Sequence, residues 1–317
     1  MKDSVYFSLP GNEFFETIIN DPEGGDQFIW RAFAKNGKIK SILGRQQRFE
    51  LTDLPNIDFP EVDKIQNIDA QSYQELIEKA IRFSDENNGK VVLSRINDVS
   101  FPDLNLAASM LQLKASYKTS LVYLLISEVD GVWLGATPET LVNEHFGEFE
   151  TMALAGTKWN DDPFEEKEFF EQQLVVDSIV QKLKGEELAI SEREESVFGA
   201  IRHLKSQISW VGNGHVDDYA ELLHPTPAIC GFPQDSAYQF ILETEKYNRN
   251  LYTGYLGLKS AKENSHLFVN LRCMQLFRGF VRVYAGGGIN QMSDPASEWE
   301  ETTRKMNTVL NALKVND

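Results

Sequence analysis

Two pairs of apolar, β-branched runs, each closed by a two-residue turn, constrain this chain more than any other feature. Ser120–Val129 (SLVYLLISEV) and Val132–Ala136 (VWLGA) are separated by Asp130-Gly131, while His266–Phe277 (HLFVNLRCMQLF) and Phe280–Gly286 (FVRVYAG) flank Arg278-Gly279. A turn that short makes its two strands antiparallel neighbours. The intervening segments carry helical spacing. Ser72 and Glu75 form a capping-box pattern ahead of Leu76, Ile77, Ala80 and Ile81, which predicts an amphipathic helix ending near Asn87-Asn88-Gly89. Lys90 then opens the strand KVVLSR. Further helices are predicted from Asp162-Pro163 to Lys182-Leu183-Lys184-Gly185, from near Pro233, and from the cap Ser293-Asp294-Pro295 to about Leu313. Hairpins interleaved with a few long helices imply an α+β fold with mostly antiparallel sheets, not a doubly wound parallel one.

No repeat, low-complexity tract or Gly/Ser linker divides the chain, so residues 1–317 read as a single folding unit. Residues 1–70 are the least legible part, with strand-like aromatic stretches such as Phe28–Ala34 and a Pro-containing connection at Leu54–Pro60. The composition, 42% hydrophobic and 25% charged over 317 residues, is that of a globular protein with a substantial core. A formal charge of −17 argues against nucleic acid or an anionic membrane as partner, because both need a positive surface field. An anionic small substrate then requires a local group of cations or a metal. No apolar run approaches the roughly 18 residues of a membrane span, and the N-terminus lacks an export-signal pattern. With only Cys230 and Cys273 present, a reducing cytoplasm is the expected compartment.

Several residues could carry chemistry. Glu298, Glu301 and Lys305 project from one face of the last helix, where two carboxylates could share Mg²⁺; the competing reading is a solvated face with an i,i+4 ion pair. Gly286, Gly287 and Gly288 end a strand just upstream, where bare amides could converge on an anion or simply make a turn. Arg272 falls within an apolar strand pattern and so needs an acidic partner or a ligand carboxylate. Lys90 heads a strand that reads as buried, and Glu139 follows a strand in Gly135-Ala136-Thr137-Pro138-Glu139, where burial could make it a general acid. Glu171 lies at the edge of an apolar helix stripe with Leu174, Val175 and Ser178, and His224 stands in the two-proline segment LHPTPAICGFP. There is no zinc-ligand cluster, P-loop, G-x-S-x-G elbow or redox cysteine pair.

Taken in order, KVVLSR, GATPETLV, MALAGT, KEFFEQQLVV, LHPTPAICGFP, EKYNRNLYTGYLG, LRCMQL, YAGGGI and SDPASEWEETTRK resemble the successive motifs of the chorismate-utilising enzymes. The resemblance spans roughly residues 90–305 and is closest to the isochorismate synthase branch. It implies one α+β domain with large antiparallel sheets, helices packed outside and an active site between the sheets. It also implies that Lys90 activates water and Glu139 protonates the departing C4 hydroxyl of chorismate. By the same resemblance Glu171, Glu298 and Glu301 gather Mg²⁺, while Arg272, Tyr284 and the Gly286–Gly288 backbone hold a substrate carboxylate, with Lys305, Arg249 and His224 lining the site.

ALAGT and GFPQ stand where the amino-transferring relatives usually have PIKGT and GAPK, so no glutaminase subunit is expected, and the resemblance leans to a monomer. Salicylate synthases, which share base, acid and metal positions and then eliminate pyruvate, are the alternative, and HPTPA favours the isochorismate branch. The chain departs from the family pattern at Gln172, where a histidine is usual, and at Cys230, Gly287 and Asn290. Menaquinone and siderophore pathways both stay open as the destination of the product.

Overall fold

The computed structural model describes residues 2–21, 23–159, 161–198, 201–262 and 264–316. Four strands come first: β1 (Ser4–Ser8), β2 (Phe15–Ile19), β3 (Asp26–Arg31) and β4 (Lys40–Phe49). Helix α1 (Ala70–Glu86) leads into β5 (Lys90–Ser100), and α2 (Leu106–Ser116) into the hairpin of β6 (Leu121–Ser127) and β7 (Gly131–Thr137). Next come β8 (Thr140–His145), β9 (Glu148–Trp159) and α3 (Glu166–Lys182). The short β10 (Ala189–Ile190) and β11 (Glu194–Phe198) precede β12 (Ile201–Val211) and α4 (Val216–Leu223). The chain finishes with β13 (Gly231–Phe232), α5 (Gln234–Thr244), β14 (Tyr255–Lys259), β15 (Asn264–Val269), β16 (Cys273–Phe277), β17 (Phe280–Ile289) and α6 (Pro295–Leu310).

All pairings among these strands are antiparallel. One sheet runs β13-β5-β17-β16-β7-β6-β1-β2-β4, and the other continues β4-β3-β14-β15-β8-β9-β12, with β10 and β11 on the far side of β12. β4 belongs to both: Arg45–Phe49 pair with β2 and Lys40–Gly44 with β3.

Side-chain alternation explains why the sheets stack. In β6, Leu121, Tyr123 and Leu125 enter a core shared with Phe28, Trp30 and Leu256 of the opposite sheet. The alternate residues Val122, Leu124 and Ile126 meet α2 and α6 on the outside. The outer face of the second sheet packs on α3 and α4 through Val175, Ile179, Val216 and Leu223. Two sheets with helices outside both are what the sequence implied. No helix among the described residues is long and apolar enough to cross a membrane.

Helix starts differ slightly from the predicted ones. Asp69, not Ser72, caps α1, its carboxylate accepting from the Ser72 amide at 2.8 Å. Helix α3 begins after Pro163, where Glu165 and Glu168 form a reciprocal capping box, and α6 starts as predicted, with Asp294 as cap and Pro295 in the first turn. The predicted strand His266–Phe277 is broken in two. Between β15 and β16 the chain bends through Arg272 at φ +46° and passes from one sheet to the other. Arg272 is therefore buried as expected, but at a corner and not within a strand.

Candidate active site

β7 and β8 make the same passage between sheets beside β15 and β16, so two corners lie against each other. The Val269 amide donates to the Glu139 carbonyl at 2.9 Å, and the Ala136 amide to the Arg272 carbonyl at 3.1 Å. These bonds fix the first corner, with Glu139, to the second, with Arg272. Both side chains turn into a cavity between the sheets, which Gly286 and Gly288 of β17, His203 of β12 and Tyr252 also line.

The glycines are needed because the neighbours come so close. A Cβ on Gly288 would collide with Glu171 Oε1 and stand 3.1 Å from Lys90 Nζ, and one on Gly287 would meet Glu298 Oε2 at 2.6 Å. Gly286 and Gly288 thus face the cavity. Gly287 instead lets α6 approach β17, which corrects its expected role in holding substrate.

The charged groups form three pairs. Lys90 Nζ donates to Glu171 Oε1 at 2.7 Å, Lys167 Nζ to Glu298 Oε1 at 2.7 Å, and Lys305 Nζ meets Glu301 Oε1 at 2.6 Å. Lys305 also donates to the Gly286 carbonyl at 3.0 Å. Burial raises Glu139 to about 8 even though Arg272, Lys90 and Lys305 pull the other way, so its carboxyl keeps its proton at neutral pH. Burial also pushes Glu171 upward, but Lys90 outweighs it and holds the carboxyl below its usual range. Burial and the Glu301 charge raise Glu298 to about 7.

Among the described residues no three of His, Cys, Asp and Glu already stand as a metal cage. The three predicted carboxylates are each held by a lysine. Even so, Glu298 is 1% exposed and its Oε2 has no hydrogen-bond partner, which leaves a buried anionic oxygen facing Gly287. That orphaned oxygen, raised in pKa and near Glu301, fits a hard divalent cation. Arg272 Nε is likewise buried without a partner, as a donor waiting for an anion would be.

The sequence profile described as "Chorismate binding enzyme" matches residues 31–314. The chain belongs to the chorismate binding enzyme family. It is 28% identical over 304 residues to isochorismate synthase EntC of Escherichia coli (strain K12), covering 90% of this chain and 75% of that relative. It is 32% identical over 255 residues to isochorismate synthase MenF of the same organism, covering 75% of this chain and 59% of that relative. Its fold matches a putative 2,3-dihydroxybenzoate-specific isochorismate synthase, DhbC, from Bacillus anthracis with TM-score 0.82 and 21% identity, over 98% and 96% of the two chains.

Within this chorismate binding enzyme, three expected site residues lie elsewhere. Tyr284 is stacked between Trp133 and Tyr252, with ring centroids 5.3 and 5.4 Å away, so Tyr252 and not Tyr284 faces the cavity. His224 is locked between an Arg31 nitrogen at 2.8 Å and the Thr253 carbonyl at 2.9 Å. Burial lowers its pKa to about 3, leaving a neutral tie. Arg249 spends its guanidinium on Glu245, the carbonyls of Val92 and Ile229 and the Thr253 hydroxyl, with no donor left for a ligand. Lys90 lies just behind the cavity wall at Gly288.

His203, Tyr252 and Lys167 were missed by sequence reasoning. Burial, then the charges of Arg272 and Lys305, drive His203 well below its ordinary pKa, so it presents a neutral ring to the cavity. The alternation of polar and apolar residues over Gln207-Ile208-Ser209-Trp210 was the available sequence signal for β12, and it does not single out His203. Gln172, at a departure from the family pattern, points to Ser206 and Arg193 and joins α3 to its neighbours.

Proposed function

We propose that this chain is a Mg²⁺-dependent isochorismate synthase. The observation that carries the reading is the buried Glu139 carboxyl beside Arg272 in the cavity, with Lys90 just behind its wall at Gly288. The Lys90 ammonium first gives up to solvent the proton it directs at Glu171, and the neutral amine then takes a proton from water as the water oxygen bonds to C2 of chorismate. The ring double bonds shift, the C4–O bond breaks, and Glu139 gives its proton to the departing hydroxyl, so one water enters and one leaves. Arg272, Lys305 and the Gly286 and Gly288 amides hold substrate carboxylate, and Tyr252 completes the wall. Glu171, Glu298 and Glu301 are the residues that would hold Mg²⁺, which supplies positive charge to a substrate carboxylate when bound. Free, buried Cys230 and Cys273 suit the reducing cytoplasm that we assign as its compartment.

The test is to incubate the purified protein with chorismate and Mg²⁺ and resolve isochorismate, salicylate and pyruvate. Isochorismate without pyruvate is the expected result. Stoichiometric salicylate and pyruvate would move the assignment to the salicylate synthase branch, and unconsumed chorismate would refute both.

A further inference from the structure

Of the three lysines that hold the carboxylates, two are built in. Lys90 is fully buried at the head of β5, and Lys305 is anchored a second time by the Gly286 carbonyl. Lys167 differs. Among the described residues its one hydrogen bond is to Glu298, and its side chain keeps 22% of its exposure. Its ammonium sits on Glu298 Oε1, while Glu298 Oε2 and Glu301 Oε1 crowd the Gly287 position and Glu171 Oε1 the adjoining Gly288. A single ammonium thus stands beside three gathered carboxylates. It satisfies only one oxygen of Glu298, and the other stays bare.

We propose that the Lys167 ammonium is a resident counter-ion of the carboxylate trio, displaced into the adjoining cleft when a divalent cation binds between Glu171, Glu298 and Glu301. This rests on the metal role proposed above for those residues. An ammonium and a dication cannot share three carboxylates at this range without strong repulsion. Lysine has a flexible four-carbon stem, and the exit is present: a cleft of about 400 Å³ lined by Lys167 itself, by Asp162 and Glu300, by Glu168 already bridged to Lys158, and by Arg304. There Asp162 and Glu300 are new acidic neighbours for the ammonium. Displacement would set metal affinity lower than the carboxylates alone would give, and keep the metal-free site from carrying uncompensated negative charge.

Two measurements without substrate test it, both at pH 8. In the first, Mg²⁺ binding is titrated by calorimetry for wild type and Lys167→Met, which keeps length and removes charge. The variant should bind about tenfold tighter or more, a gain of roughly 1.4 kcal/mol. In the second, wild-type lysines are acetylated with and without saturating Mg²⁺ and read by mass spectrometry. Labelling of Lys167 should rise several-fold while that of Lys90 does not change, and this readout stands even if the variant misfolds. Unchanged Lys167 labelling, or a folded Lys167→Met that binds no tighter than a Mg²⁺-binding wild type, overturns displacement and leaves the metal role intact. Absence of Mg²⁺ binding in both proteins overturns the metal role and displacement with it.

Discussion

Lys90 Nζ donates to Glu171 Oε1 across 2.7 Å in the protein interior, joining β5 to α3 over 81 residues of sequence. The lysine is thus both the proposed base and half of a buried ion pair. Removing one partner of such a pair typically costs roughly 3–5 kcal/mol. Lys90→Ala should therefore lose stability as well as turnover. Lys90→Gln, which still donates to Glu171, should stay folded and lose about 10²–10⁴ in kcat. Chorismate turnover beside a thermal melt separates the two effects, and near-normal kcat in Lys90→Gln would remove the residue from the mechanism.

Glu139→Gln should lose a similar factor in turnover, with a distinctive pH signature. The folded-state pKa near 8 lies above the ordinary value of 4.5, so the stability this group contributes is complete below about 4.5 and is lost as pH rises through about 8. The glutamine variant escapes that loss. Its melting temperature relative to wild type should rise between pH 5 and pH 9, with values fixed by calorimetry. Parallel melting curves across this range would contradict a protonated Glu139. Wild-type kcat should also fall above pH 8, where the acid has lost its proton.

Arg272 offers an unpaired, buried Nε to the cavity. Arg272→Lys keeps the charge but not the planar fork, and KM for chorismate should increase about ten- to hundredfold. Unchanged KM would mean that the guanidinium serves the corner of the sheets alone.

Gly288→Ala places a methyl group against Glu171 Oε1 and near Lys90. Overpacking of this kind costs about 1–3 kcal/mol, which a chain of this size can absorb. Turnover should fall at least about tenfold, as the base and its partner are pushed apart. Gly185→Ala, with nothing within 4 Å of the added carbon, is the control and should match wild type in both assays.

Glu301→Gln distinguishes a metal platform from a purely structural ion pair. The Lys305–Glu301 bridge at 2.6 Å is an i,i+4 contact with both side chains largely buried, so its loss alone would cost up to about 3–5 kcal/mol of stability and leave Mg²⁺ dependence unchanged. If Glu301 also holds Mg²⁺, half-saturation in a Mg²⁺ titration of turnover should move well above wild type. Superimposable titrations would leave only the bridge.

Local signals made the hairpins and the last helix legible, because a short turn, a proline in the first turn and an Asp cap each act within a few residues, although the first hairpin turns through Glu128-Val129-Asp130 and not the expected Asp130-Gly131. The site was legible only in part. Arg272 attracted notice as a charge in an apolar run, although the run is interrupted there by a left-handed residue that single-sequence periodicity does not reveal. Tyr252 and Tyr284 look alike in sequence, and only the stacking order decides which faces the cavity. Lys167 gains its meaning from Glu298, 131 residues away. Strands in the first fifty residues were faint because no tight turn joins them, and β1 and β3 take their second neighbours, β6 and β14, from far along the chain.

Among the described residues β4 is the one strand hydrogen-bonded into both sheets, which makes it the spine of a book whose two covers are the sheets. The proposed chemistry lies toward the fore-edge: β5 and β17 stand far along one cover, β9 and β12 far along the other. The covers are stitched a second time inside the book, by the two corners that carry Glu139 and Arg272. The N-terminal fifty residues supply no reacting group, yet with those corners they bind the two covers between which a substrate would lie.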